Sequence, residues 1–284
     1  MTREALSHIA EGLAQGTIVP YLGPEVLNLG GASPAPTSTR ALVERLTSKV
    51  AVPGRIRNNL WSSAQWIESN KHRQTLVRLM EEVFSPVLVP NQLHELLASL
   101  KLPLIVDSWY DSSMAQALAA GQAAKDWGMI QAITRNGEWQ DVWYRFFDSE
   151  LKQVTEEQSQ SWKTVLYKPH GSIKPEVNFL LSDSDYVEVL TEIDIQTPIP
   201  AVVKDLRSSR GFVFLGCRFY DQMERTYARQ ITKRSMGPHY AVLPGEITRN
   251  EERFLEVEGI IRLDMPLAGA VNLLAREAAA ELLA

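Results

Sequence analysis

The sequence predicts an α/β fold, a parallel sheet with helices on both faces, and three observations carry that expectation. Apolar runs of five or six residues recur, among them 17–22, 102–106 and 211–216. They are apolar throughout rather than alternating, the pattern of strands buried on both faces. Segments of helical periodicity separate them, and strand–helix alternation is what builds parallel sheets.

Taken in order, the first helix is read over 3–15, with Ala5, Ile9 and Leu13 on one face and Gly16 as its stop. The strand over 17–22 breaks at Gly23-Pro24 and leads into a loop over 28–38 rich in Gly, Ala, Ser and Pro. A loop of that length inside a compact domain is commonly functional. Helices are expected over 39–50, 60–69, 74–84 and 92–100, punctuated by Pro53, Pro86 and Pro90. The stretch 37–101 therefore reads as a helical insertion within one domain spanning 1–284. The strand over 102–106 precedes an Ala-rich helix ending at Ala120. A strand follows over 129–133, while the aromatic segment 139–147 fits neither period. Further strands are read over 162–167 and 177–181, the second followed by a helix capped near Ser182 or Asp183. Towards the C-terminus come a helix around 202–206, a strand over 211–216, a helix over 220–233 and a strand over 239–243. Thr248-Arg249-Asn250-Glu251 is a capping box that opens the next helix, and Gly259 closes it. A strand over 260–263 and a helix over 268–283 complete the chain.

Composition narrows the function. With 284 residues, 45% of them hydrophobic and 22% charged, the chain is an ordinary globular protein with no disordered or fibrous signature. A formal net charge of -5 supplies no field to concentrate nucleic acid. The single cysteine, Cys217, excludes an intrachain disulfide and any zinc site needing two thiolates, and suits a reducing compartment. No apolar run approaches the roughly 18 residues of a membrane helix. The N-terminus has no signal-peptide pattern, so a cytoplasmic location is expected. No Walker loop, Gly-x-Ser-x-Gly elbow or Gly-x-Gly-x-x-Gly occurs, which leaves NTPase, hydrolase and dehydrogenase readings without local support.

In parallel sheets ligands bind beyond the carboxyl ends of the strands. Four such ends matter: Gly23 to Val26, Asp107 to Asp111, His170-Gly171, and Gly216 to Asp221. Together they resemble the SIR2-like family, the wider relatives of sirtuins. Its Gly-Ala-Gly-x-Ser loop aligns with Gly23-Pro24-Glu25-Val26-Leu27, and its Thr-Thr-Asn-Tyr-Asp motif with Asp107-Ser108-Trp109-Tyr110-Asp111. Its Lys-Leu-His-Gly-Ser aligns with Lys168-Pro169-His170-Gly171-Ser172. An acidic turn and tyrosine match Ser182-Asp183-Ser184-Asp185-Tyr186, and Phe-Leu-Gly-x-x-x-x-Asp matches Phe214-Leu215-Gly216 through Asp221. The helix start Asn91-Gln92-Leu93-His94-Glu95 also fits.

The resemblance implies a Rossmann-like domain that binds NAD, with Gly23, Pro24, Glu25, Asp111, Gly216 and Asp221 in the cofactor-binding positions and His170 as candidate base. It implies either lysine deacylation or cleavage of NAD to nicotinamide and ADP-ribose, the latter in bacterial defence. It also implies assembly into a homo-oligomer. Deacylating members carry a four-cysteine zinc ribbon, which a chain with one cysteine lacks.

The departures fall on the chemistry. Small residues in the first loop let backbone N–H groups approach a pyrophosphate. Pro24 removes one N–H, and Glu25 adds a carboxylate whose repulsion at 4 Å is worth about 1 kcal/mol in water and about 4 at an effective dielectric of 20. Trp109 stands where the family has its catalytic asparagine, and an indole offers one donor and no acceptor. The expectation is a degenerate site, with NAD binding weak or lost, in a pseudoenzyme that acts through nucleotide binding or as a scaffold for a protein partner. An active NAD glycohydrolase is the alternative. Trp109 is then expected to be buried close to His170, filling the nicotinamide pocket.

Other residues read more plainly. His94 is expected to cap or pack its helix, Asp183 and Asp185 to cap theirs, and Cys217 to be a buried, inert thiol. Tyr220, Met223, Tyr227 and Ile231 form a core stripe at helical spacing, beside Arg225, Arg229 and Lys233 on a solvated face.

Overall fold

The computed structural model describes residues 2–134, 142–192 and 199–281. Helix α1 (Thr2–Ala14) turns at Gly16, whose φ is 68°, into strand β1 (Ile18–Leu22). A 3-10 helix over Pro24–Gly30 follows. Helices α2 (Thr39–Lys49), α3 (Leu60–Lys71), α4 (Arg73–Val83) and α5 (Gln92–Ser99) then lead to β2 (Leu104–Asp107). Helix α6 (Ser113–Gly121) precedes β3 (Trp127–Ala132), β4 (Tyr144–Asp148) and β5 (Gln153–Val154). After the short α7 (Glu156–Ser159) come β6 (Thr164–Lys168) and a small pair, β7 (Gly171–Ser172) with β8 (Asn178–Phe179). The remainder runs α8 (Asp183–Glu192), α9 (Ala201–Ser208), β9 (Gly211–Leu215), α10 (Gln222–Thr232), β10 (His239–Val242), α11 (Arg249–Glu258), β11 (Ile260–Leu263) and α12 (Leu267–Glu281).

The main sheet has the order β11-β10-β9-β1-β2-β6-β3-β4-β5. From β11 to β3 every neighbouring pair is parallel. Strand β1 is central: β2 and β6 follow on one side of it, and β9, β10 and β11 on the other. This is the Rossmann-like reversal of strand order, and the crevice it opens lies where β1 meets β9. Register places Leu22 opposite both Asp107 and Leu215, so the ends of β9, β1 and β2 are level. The α/β fold expected from the alternation is present.

The two faces share out the strand side chains. Val19, Tyr21, Leu104, Val106, Phe212 and Phe214 face one core, packed by α2, α3, α4, α8, α10 and α11. Ile18, Leu22, Ile105, Val213 and Leu215 face the other, closed by α1, α5, α6 and α12. Double-sided burial is why these strands read as continuous apolar runs. The helices of 37–101 divide accordingly: α2, α3 and α4 pack on one another, whereas α5 packs against α6 on the opposite face. Among the described residues no helix is long and apolar enough to cross a membrane.

Three details differ from the expectation. The sheet is not parallel throughout, because β4 runs antiparallel to β3 and β5 antiparallel to β4. The connection from β3 to β4 is shorter than the roughly dozen residues that a parallel crossover needs. The aromatic segment whose pattern fitted neither period supplies β4; Trp139 in it lies outside the described residues. The run 177–181 contributes only β8, paired with β7 outside the main sheet. Tyr220 precedes α10 and is 54% exposed under the Arg218 guanidinium, 4.4 Å from its ring centroid, so only Met223, Tyr227 and Ile231 of that stripe join the core.

Candidate functional site

The ends of β9, β1, β2 and β6 are consecutive in the sheet, so the segments that follow them converge. After β1, the Gly23 N–H donates to Leu215 O (2.9 Å) and the Glu25 N–H to Gly216 O (3.0 Å). Val26 N–H returns to Gly23 O (3.3 Å), and Pro24 has no N–H. The glycines are required by this closure. A Cβ on Gly23 would sit 2.4 Å from Gly216 O, and Gly216 has a φ of 69° with the Val26 N–H nitrogen 2.6 Å from its would-be Cβ. Both glycines serve the close approach of two backbone turns of this chain. No amide from Gly23 to Val26 is left over for a phosphate. Glu25 is half-buried beside Arg218 and Glu251; burial raises its carboxyl above the usual range, against the pull of Arg218.

After β2, Asp107 accepts the Trp109 N–H on Oδ1 (3.1 Å) and Lys168 Nζ on Oδ2 (2.7 Å). Lys168 also donates to Asp111 O (2.9 Å) and is 1% exposed. Burial pushes the Asp107 carboxyl up to about 6, partly offset by Lys168. Asp111 accepts the Ser113 N–H (2.8 Å) and so shapes the entry to α6. The Trp109 indole is 3% exposed; its Nε1 donates to Pro36 O (2.9 Å), tying it to the 28–38 loop.

After β6, the His170 Nδ1 lies 2.9 Å from Ser108 O. A carbonyl only accepts, so Nδ1 carries the proton and Nε2 is a bare acceptor, buried and without a partner among the described residues. Burial pushes the imidazole down to about 4, which keeps it neutral. Tyr227 packs edge-on against it with ring centroids 4.5 Å apart, and Tyr186 at 5.7 Å. Trp109, by contrast, packs on Phe84 and Tyr110. The expected burial of Trp109 is present, but its packing against His170 is not: the two residues line one cavity and their rings pack on different neighbours.

That cavity is walled by Tyr21, Trp61, Trp109, His170, Phe219 and Glu224, and holds about 30 Å³. That clears the roughly 10–15 Å³ a water needs. Beside it, with Thr39 and Trp61 common to both, an open cleft of about 320 Å³ is lined by Arg40, Asn58, Asn59, Tyr220 and Asp221. Asp221 caps α10, accepting the Met223 N–H (2.8 Å), and Glu224 completes the capping box at 3.4 Å. The structure thus brings His170, Trp109 and Pro24 to one cavity, sets Gly23 and Glu25 after β1 against Gly216 after β9, and leaves Asp221 in the neighbouring cleft and Asp111 at the entry to α6, on a separate cleft.

Sequence reasoning missed Glu224, although Asp-x-x-Glu at a helix start is a legible capping pattern. Burial and Asp221 push its carboxyl up to about 8, so it is protonated at neutral pH. A raised folded pKa favours the native state below the ordinary carboxylate value of about 4.5, and that contribution is lost as pH rises through 8. Glu224→Gln keeps an oxygen for the Asp221 N–H and cannot ionise. It should therefore flatten the decline of stability between pH 5 and 9, gaining about 2 kcal/mol at the alkaline end. Urea unfolding of both proteins across that range checks this; parallel pH profiles would contradict it.

The remaining expectations concern structure. Asn91 and His94 form a capping box, with burial pushing His94 down to about 4. Asp185 accepts the Leu181 and Ser182 N–H groups and pairs with Arg73 at 2.7 Å. Cys217 is buried, and burial pushes its thiol well up. Among the described residues no group of three or more His, Cys, Asp or Glu side chains is placed to hold a metal.

A solved structure described as "Structural Basis for the Mechanism and Regulation of Sir2 Enzymes" is similar over 98% of each chain, at 13% sequence identity and a TM-score of 0.48. No curated protein matches the chain. The profile of the SIR2-like domain matches residues 103–262, from the approach to β2 through β6 and β9 to β11, more than half of the sequence. By that match, and by the strand ends it spans, the chain belongs to the SIR2-like domain family.

Proposed function

We propose that this SIR2-like domain has lost turnover of NAD and works by binding, as a scaffold or regulatory partner of another macromolecule. The observation that carries the reading is the closed loop after β1. Every amide from Gly23 to Val26 is bonded within the chain or absent, so the backbone cradle for a pyrophosphate is already occupied by the Gly216 turn. The Trp109 indole adds to it by confining the space beside His170 to about 30 Å³. NAD does not fit this arrangement.

One observation favours the alternative of an active NAD glycohydrolase. His170 is neutral, with a bare, unpartnered Nε2 facing no protein donor, the state a general base requires. Without an amide at position 109 and without room for a ring, that base has nothing to act on. The expected result is therefore no nicotinamide release above a His170→Ala control when the purified chain is incubated with NAD and the products are separated by chromatography. Release above that control would replace the binding reading with the glycohydrolase.

A further inference from the structure

Helices α10 and α11 pass beside each other on one face of the sheet and leave a groove of about 350 Å³ between them. Helix α10 lines it with positions 222, 225, 226 and 229, and α11 with 250, 253, 254 and 257. Both sets follow the i, i+3, i+4, i+7 spacing by which one helix face meets another. Three arginines stand in the groove, Arg225, Arg229 and Arg253. Arg229 Nε pairs with Glu258 at 2.7 Å. Arg225 is held in place by donating to Phe219 O (2.5 Å) and Tyr220 O (2.7 Å), neither of which neutralises it. Arg253 is exposed and has no ion pair among the described residues. The groove thus keeps an excess of positive charge on a chain whose net charge is -5.

Phe254 is buried in the groove, and Val257 is 64% exposed at its lip, an aliphatic side chain with nothing over it. We propose that this groove docks an acidic amphipathic helix from a partner protein. Carboxylates along the two flanks of such a helix would meet Arg225, Arg229 and Arg253, and its apolar seam would cover Val257. A groove two turns long, roughly 10 Å, matches one face of a helix. Nucleic acid is the less suited occupant, since it needs an extended basic surface and offers no seam for Val257. The surface is separate from the His170 cavity and its occupancy does not depend on what that cavity binds.

The probe is a fluorescein-labelled, lactam-stapled helical peptide of about four turns with glutamates flanking a leucine seam. A counterpart with glutamine for glutamate and a single-stranded oligonucleotide serve as competitors. Fluorescence anisotropy with the full chain should show saturable binding of the glutamate peptide, weakened about tenfold by Arg253→Glu and similarly by Val257→Asp. Both substitutions are at exposed positions, and circular dichroism melts confirm that the variants fold. The glutamine peptide should compete poorly. No binding of the glutamate peptide, equal binding of the glutamine peptide, or indifference to both substitutions would overturn the proposal. Displacement by the oligonucleotide at lower concentration would overturn it in favour of nucleic acid. Nicotinamide release is measured on the same samples, so failure here and failure of the binding reading are separately visible.

Discussion

Lys168→Met is expected to destabilise the protein by about 3 to 5 kcal/mol, the range for removing one partner of a buried ion pair. Lys168 is 1% exposed, and its ammonium joins Asp107 at 2.7 Å to Asp111 O at 2.9 Å. It thereby fastens the end of β6 to the turn after β2, the two segments that carry His170 and Trp109. Methionine retains the length of the side chain, so the loss measured is mainly that of charge and hydrogen bonds. Asp107 is left in an apolar surrounding that already lifts its carboxyl to about 6. Adding Asp107→Asn removes the stranded charge while keeping an oxygen for the Trp109 N–H, and should recover at least half of the loss. Urea unfolding at neutral pH measures all three proteins. A loss below about 1 kcal/mol for the single variant, or a double variant no better than the single, would show that the pair is not what joins the two strand ends.

Trp109→Asn should have a comparable effect, about 3 to 5 kcal/mol, for a different reason. The indole is 3% exposed, packs against Phe84 and Tyr110, and donates to Pro36 O. Its removal enlarges the cavity beside His170 and places an amide in an aromatic surrounding, where its hydrogen-bonding groups lack partners. This change puts the family's asparagine back, yet it should not restore nicotinamide release. The amides after β1 remain bonded to Leu215 and Gly216, and Pro24 still lacks its N–H. Adding Glu25→Gly should help little, because Arg218 already faces that carboxylate and the Glu25 N–H is tied to Gly216 O. Thermal unfolding and the chromatographic assay test both halves. Turnover by the Trp109→Asn chain would mean that the loop after β1 opens on binding.

What could be read in advance follows from which residues leave a local signature. Strands β1, β2 and β9 are buried on both faces, so their apolar runs were unmistakable, and the glycines and histidine at their ends fell into a recognisable order. Strand β4 was not legible, because an edge hairpin with Tyr144 and Arg145 half-exposed has neither a continuous apolar run nor strict alternation. At the site, the burial of Trp109 followed from its bulk and context. The closure of Gly23 on Gly216 did not, since it is made by backbone atoms of segments nearly two hundred residues apart. Lys168 stands at the head of Lys168-Pro169-His170-Gly171-Ser172, but its ion pair with Asp107 depends on β2 and β6 being neighbours, a fact of topology. The arginines of α10 showed their spacing, yet the groove exists only because α11 brings Arg253 and Val257 alongside.

The central position of β1 also bears on the order in which the chain can assemble. One of its edges is covered by β2, whose register pairs Tyr21 with Val106, but the other waits for β9, where Ile18 meets Gly211. As the chain emerges from a ribosome, that second edge must stay unpaired while about 190 further residues are made, a closure that adds entropy cost and slows folding. Helix α1 waits longer still, since α12 is what it packs against. An apolar strand edge held open for that interval is a place where nascent chains can stick to one another. The polypeptide should therefore depend on early capture by chaperones more than its finished stability would suggest.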